Sequence, residues 1–152
     1  MEEEDFRISL QFHIVFSTKN QEPIIAPHVC QSIWAYLGDV AREHRIKVLS
    51  IGGALDHVHL FFSPPTTISI EDIVQTMRKK SAAWVREAYV AMPDFAWQEG
   101  YAAFSVSESE IPKLTAYINE QDRHHLHTTY KEEYVALLEE HGITYDPGDL
   151  WS

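Results

Sequence analysis

The chain is 152 residues long, with 45% hydrophobic and 23% charged residues. That is one domain's worth of sequence, long enough to bury a core, and it excludes a disordered polymer; the single cysteine, Cys30, excludes a disulfide framework and a cysteine-rich zinc site. The net charge of −11 argues against an indiscriminate nucleic-acid binder, yet residues 2–5 hold four acids, 131–152 hold six acids and one base, and 6–130 hold 13 acids against 11 bases, which leaves room for a locally basic face.

In residues 6–17, Ile8, Leu10, Phe12, Ile14 and Phe16 alternate with more polar neighbours, which predicts a strand with one buried face. Residues 18–25, with Pro23, read as a loop. Over 27–44, Val29, Ile33, Trp34, Leu37, Val40 and Ala41 recur at helical spacing behind Pro27, a residue suited to a first turn. Residues 46–51 form a second strand closed by Gly52-Gly53, and 56–62 a third closed by Ser63-Pro64-Pro65; the short gap between them suits an antiparallel hairpin. Ser69 and Asp72 open a second helix that runs to about Tyr89. Residues 97–106 read as a fourth strand with a turn at Gly100. Ser107 and Glu110 fit a capping box at the head of a helix reaching His124, and Thr129 and Glu132 open a last helix ending at Gly142.

The order β-α-β-β-α-β followed by two helices predicts an α+β, ferredoxin-like (split βαβ) fold, an antiparallel sheet with helices packed on it. One domain spans 1–152, with an acidic N-terminal tail at 1–5 and a C-terminal helix and acidic tail over 129–152. No apolar run approaches the ~18 residues of a membrane span, and the acidic start lacks the basic residues of a secretory signal, so the expected location is the cytoplasm.

The sharpest local feature is His57-Val58-His59 inside the third strand. Strand residues i and i+2 point to one face, so both imidazoles project together as a chelating pair for a divalent metal. A third ligand is needed. Tyr117 and Gln121 are i, i+4 in the late helix and share one face beside Ile111, Leu114 and Ile118. His124 lies seven residues beyond Tyr117, near the same face, and is a candidate base; His124, His125 and His127 also read as a polar helix end. Four bases and no acid occur between Ile73 and Arg86. Of these, Arg78, Lys79 and Arg86 fall together opposite the apolar stripe, a candidate phosphate-binding face, with Arg42, Arg45 and Lys47 as a smaller basic group. Trp97 and Tyr101 are candidates either for base stacking or for core packing.

These residues, with Gln11-Phe12-His13-Ile14-Val15-Phe16 ahead of them, Asp56-His57-Val58-His59-Leu60, Trp97-Gln98-Glu99-Gly100-Tyr101 with Phe104-Ser105-Val106-Ser107, and Tyr117-Ile118-Asn119-Glu120-Gln121, resemble the single-tyrosine HUH transposases of small bacterial insertion sequences, the IS200-like and REP-associated tyrosine transposases; the tail from Glu132-Glu133-Tyr134 through Gly142-Ile143 to Trp151 resembles one branch of that family. The resemblance implies a metal-dependent, single-stranded DNA transposase of the bacterial cytoplasm. It implies that Tyr117 attacks a DNA phosphodiester to form a 5′-phosphotyrosine, that His57, His59 and Gln121 hold Mg2+ or Mn2+, and that strands are rejoined by a second transesterification. It further implies hairpin-bearing single-stranded DNA as partner, no nucleotide cofactor, and a homodimer, often with the tyrosine helix of one subunit completing the other's metal site. Two alternatives stay open: a host-serving nickase or binder of repetitive palindromes on the same scaffold, and a non-catalytic metal- or ligand-binding ferredoxin-like dimer.

Overall fold

Strand β1 (Gln11–Ser17) pairs antiparallel with both β3 (His57–Ser63) and β4 (Ala102–Val106), and β3 pairs with β2 (Lys47–Gly53), giving the order β2-β3-β1-β4. The computed structural model describes residues 7–151; the predicted acidic tail at 1–5 and Phe6, the first residue of the first predicted strand, lie outside the described residues. Helices α1 (Pro27–Glu43), α2 (Ile70–Ala88), α3 (Ile111–Asn119), α4 (Gln121–His124) and α5 (Tyr130–Glu140) complete the α+β fold, and none is long and apolar enough to cross a membrane.

The period-2 pattern splits the sheet into two faces. Ile14 and Phe16 of β1 and Val58, Leu60 and Phe62 of β3 turn to one face, where they pack with Ile33 and Leu37 of α1 and Ile73, Met77 and Val85 of α2. Val15, Ala102 and Phe104 turn to the other, against Tyr130 and Leu138 of α5. Tyr134, Tyr145 and Trp151 close over that second cluster. His57 and His59, one residue out of phase with Val58, therefore stand on the second face of a central strand, and both are fully buried.

Four predicted elements differ in the structure. The first strand begins at Gln11, because Val106 is the last β4 residue available to pair with it and residues 7–10 stay exposed. The fourth strand begins at Ala102; Trp97 makes only an isolated bridge to Thr18, and the carbonyls of Gln98 and Glu99 are taken by the Arg78 guanidinium instead of a strand partner. The Ser107–Glu110 capping box does not form. Ser107 heads a 3-10 turn, Glu108–Glu110, and its hydroxyl meets Ser109. The late helix is not continuous to His124; it breaks at Glu120 (φ −108°, ψ 23°) into α3 and α4. The Thr129–Glu132 box does form, with the side-chain and backbone bonds made in both directions.

Candidate active site

Close approach of α3 to β2 sets the site. A Cβ on Gly52 would lie 2.4 Å from the Ile118 carbonyl oxygen, so only glycine lets the helix backbone rest on the strand. Ser50 donates to Asn119 Oδ1 at 2.7 Å and pins the end of α3 to the same strand. Tyr117, before that contact, and Gln121, after the break at Glu120, are thus carried to the His57 and His59 face within one chain.

Four side chains singled out in the sequence meet around a fifth that was not. Gln121 Oε1 lies 2.9 Å from His57 Nε2. Glu133 of α5, 3% exposed, sits at the centre: its Oε1 is 3.0 Å from His59 Nε2, 3.2 Å from His57 Nε2 and 3.1 Å from His125 Nε2. Its Oε2 accepts from the Tyr117 hydroxyl and, at 2.9 Å, from Gln121 Nε2. The Tyr117 oxygen also lies 3.3 Å from His124 Nε2. Outer groups orient the imidazoles: Asp56 Oδ1 accepts from His57 Nδ1 at 2.7 Å, His13 Nε2 and His59 Nδ1 share a bond of 2.7 Å, and the Thr128 carbonyl accepts from His125 Nδ1 at 2.6 Å. Tyr130, the first residue of α5, stacks on His57 with ring centroids 4.5 Å apart, so α5 is registered against the imidazole that its Glu133 reaches.

Burial opposes charge throughout this cluster, and the outcome differs by partner. At His57 burial disfavours the imidazolium, but hydrogen bonds to Asp56 and Glu133 outweigh it and push the pKa up to about 9. His59 is held below its ordinary value, chiefly by burial, and His13 is held well below it by burial and then by the charge of His59. Burial works against the Glu133 carboxylate, but hydrogen bonds from His125, His57 and His59 override it and hold the group ionised far below the usual carboxylate range. Burial and then Glu133 push the Tyr117 phenol up, which keeps the hydroxyl protonated.

His125 and Glu133 were not assigned to the site from sequence, and both left a signal. His125 is i+4 from Gln121, so it shares the Gln121 face and is more than part of a polar helix end. Glu133 falls between Tyr130 and Leu137 on the apolar face of α5, where an unpaired acid would be costly. His57, His125 and Glu133 place one ligand atom each within 4.8 Å of one another, and the imidazole, amide and carboxylate groups assembled here suit a divalent ion. From Gln121 and His125 a groove of about 750 Å3 opens between the β2–β3 turn and α1, past Gly53 and Asp56 to Trp34.

The basic residues lie elsewhere. Helices α1 and α2 cover the face of the sheet opposite His57 and His59, so Arg78, Lys79, Arg86 and Arg42 are separated from the cluster by the sheet. Lys47 pairs with Ser63, at the far end of β3 from His57, with Arg45 in the turn before it. Arg86 donates to the Phe95 carbonyl at 2.9 Å and Arg42 pairs with Asp39 at 2.9 Å, while Lys79 is exposed. Trp97 is a core residue, 8% exposed, whose indole donates to Ser81 Oγ at 2.9 Å. Arg78 clamps the 97–101 loop: it donates to the Gln98 and Glu99 carbonyls and lies 5.4 Å from the Tyr101 ring centre. Arg78→Ala is therefore expected to cost about 1–3 kcal/mol in urea unfolding.

The family described as "Transposase IS200 like" matches residues 7–121. A curated relative, the ISDra2 transposase TnpA of Deinococcus radiodurans, is 26% identical over 120 residues, covering 74% of this chain and 84% of its own length. Two solved structures share the fold. One, a candidate transposase of Deinococcus radiodurans R1, superposes with a TM-score of 0.64 at 20% identity over 80% of this chain and 98% of that one. The other is a REP-associated tyrosine transposase bound to a REP hairpin, with a TM-score of 0.59 at 11% identity over 81% and 74%. His125 and Glu133 lie beyond the matched residues 7–121.

Proposed function

Since the chain belongs to the IS200-like transposase family, we propose that it is a metal-dependent transposase of single-stranded DNA with Tyr117 as its nucleophile. The observation that carries this reading is the meeting of the Tyr117 hydroxyl, the His57 and His59 imidazoles and the Gln121 carboxamide on one carboxylate, Glu133, inside one chain. The Tyr117 oxygen attacks the phosphorus of a DNA phosphodiester, a 5′-phosphotyrosine bond forms, and the bond to the upstream 3′-oxygen breaks. In the second step a DNA 3′-OH attacks the phosphotyrosine, which rejoins the strand and returns the phenol. The energy of the broken bond is kept in the covalent link, so no nucleotide is consumed.

His57, His59 and Gln121 would hold a divalent ion, Mg2+ or Mn2+. When bound, such an ion neutralises charge on a phosphate oxygen and stabilises the transition state as a Lewis acid. The chain's own groups do the rest. Glu133 aligns the phenol through its hydroxyl, and His124 stands beside the same oxygen. Asp56 fixes the His57 ring, and His13 the His59 ring. The groove running from Gln121 towards Trp34 gives a single strand a way in. Hairpin-bearing single-stranded DNA is the substrate class we infer, in keeping with the hairpin bound by the REP-associated relative.

The test is to incubate the protein with labelled single strands from the DNA flanking its own gene, with Mn2+, and to resolve the products on a denaturing gel. A covalent protein–DNA band that chelator removes is the expected result, and its absence with every flanking hairpin would sink the reading. The same preparation carries a pH prediction. His57 must give up a proton to serve as a ligand, and its pKa is about 9. Mn2+ affinity should therefore rise by about tenfold per pH unit between pH 6.5 and 8.5 and level off above 9. Calorimetric titrations at three pH values check the slope.

A further inference from the structure

Two imidazoles of the cluster have their protons committed elsewhere. His57 Nδ1 lies 2.7 Å from Asp56 Oδ1, and His125 Nδ1 lies 2.6 Å from the Thr128 carbonyl. Both partners only accept, so each Nδ1 carries its ring's N–H. Nε2 is therefore the atom each ring can offer to a metal once its proton is displaced. These two Nε2 atoms face oxygen acceptors: Gln121 Oε1 at 2.9 Å from each, and Glu133 Oε1 at 3.2 and 3.1 Å. The Gln121 amide cannot turn its NH2 to them without losing its bond to Glu133 Oε2 at 2.9 Å. His59 Nε2 joins the same centre, 3.0 Å from Glu133 Oε1. Protons on these nitrogens, or one metal ion in their place, hold the facing oxygens and nitrogens together, and the same contacts that satisfy the protons present a converging donor set to an ion.

Ligand atoms bound at about 2.1 Å around a six-coordinate metal stand about 3 Å apart when adjacent and about 4 Å apart when opposite. Gln121 Oε1 and Glu133 Oε1 stand 2.9 to 3.2 Å from the Nε2 atoms they face, and His57, His125 and Glu133 bring one ligand atom each within 4.8 Å of one another, with His59 reaching the group through Glu133 Oε1. We propose that His125 and Glu133 are metal ligands alongside His57, His59 and Gln121, and that three imidazoles make this a site for a transition ion of the Mn2+ or Co2+ class ahead of Mg2+. The inference rests on the reading above that the site is a metal centre. It extends that centre with two residues beyond the part of the chain the family matches. The donor set sets the preference: imidazole favours first-row transition ions, and Mg2+ takes oxygen ligands and keeps its water. Glu133 also ties the ion to the nucleophile, since Oε1 faces the imidazoles while Oε2 holds the Tyr117 hydroxyl.

The experiment uses the full chain. X-ray absorption of the Co2+-loaded wild type counts imidazoles directly and needs no variant. Three are expected, and two would overturn the three-imidazole site. Mn2+ binding is then titrated by electron paramagnetic resonance for wild type, His125→Ala, Glu133→Gln and His57→Ala, with circular dichroism confirming the fold of each. His125→Ala and Glu133→Gln should each bind Mn2+ at least about tenfold more weakly, and wild type should prefer Mn2+ to Mg2+ by about a hundredfold or more. Affinity within twofold of wild type in His125→Ala and Glu133→Gln, with His57→Ala impaired, would overturn this proposal and leave the metal reading standing. If His57→Ala were also unimpaired, the metal reading itself would fall. A Glu133→Gln protein that binds Mn2+ normally and forms more DNA adduct than wild type would make Glu133 a stand-in for the scissile phosphate, which also overturns the ligand assignment.

Discussion

Tyr117→Phe is expected to abolish covalent attachment to single-stranded DNA, lowering adduct formation by about a thousandfold or more, the scale on which loss of a nucleophile is felt. The substitution removes one oxygen and keeps the ring, which meets His59 edge-on at 5.9 Å and packs against His124 at 5.0 Å. Glu133 Oε2 keeps its bond from Gln121 Nε2, so the loss leaves no orphaned carboxylate oxygen behind it. Thermal unfolding and DNA affinity should therefore stay close to wild type while the denaturing-gel band disappears. Wild-type adduct levels in this variant would move the nucleophile to another residue, and an unfolded variant would show the phenol to be a core group.

Gly52→Val acts from a distance and by a different route. The new Cβ would fall 2.4 Å from the Ile118 carbonyl oxygen and 3.1 Å from its Cγ2, and a backbone atom cannot rotate away. Helix α3 has to lift off β2, and Tyr117 and Gln121, one residue before and three after Ile118, move with it. Overpacking of this kind costs about 1–3 kcal/mol. A displacement near 1 Å at a reacting group costs about a hundredfold in rate. Adduct formation should fall by that order at a temperature where circular dichroism still reports a folded protein, and Mn2+ binding should weaken because Gln121 is displaced. Gly38→Ala is the matched control: it lies within α1, nothing stands within 4 Å of its added Cβ, and it should leave both readouts unchanged.

Periodicity carried the sheet and its two long helices, because burial on one face writes itself into the sequence at intervals of two or of three and four. It carried His57 and His59 for the same reason: a polar pair in phase on an otherwise apolar strand is visible without coordinates. The breaks were less legible. The start of β4 depends on Arg78, some twenty residues upstream, taking the Gln98 and Glu99 carbonyls, and no local pattern marks that. The bend at Glu120 comes two residues after Ile118 rests on Gly52, a contact 66 residues apart in sequence that no local pattern marks. Glu133 stood in a tail that resembles one branch of the family but carried no assigned role, and its phase within α5 distinguishes it from its exposed neighbour Glu132. The basic residues had the converse problem. Their composition points to phosphate, but pairing of Arg78 and Arg86 with loop carbonyls is a tertiary event that composition cannot report.

Imidazoles from β3, the phenol and carboxamide from α3 and α4, and the carboxylate from α5 all come from a single polypeptide. Any change that shifts one of these elements against the sheet therefore disturbs the whole cluster at once.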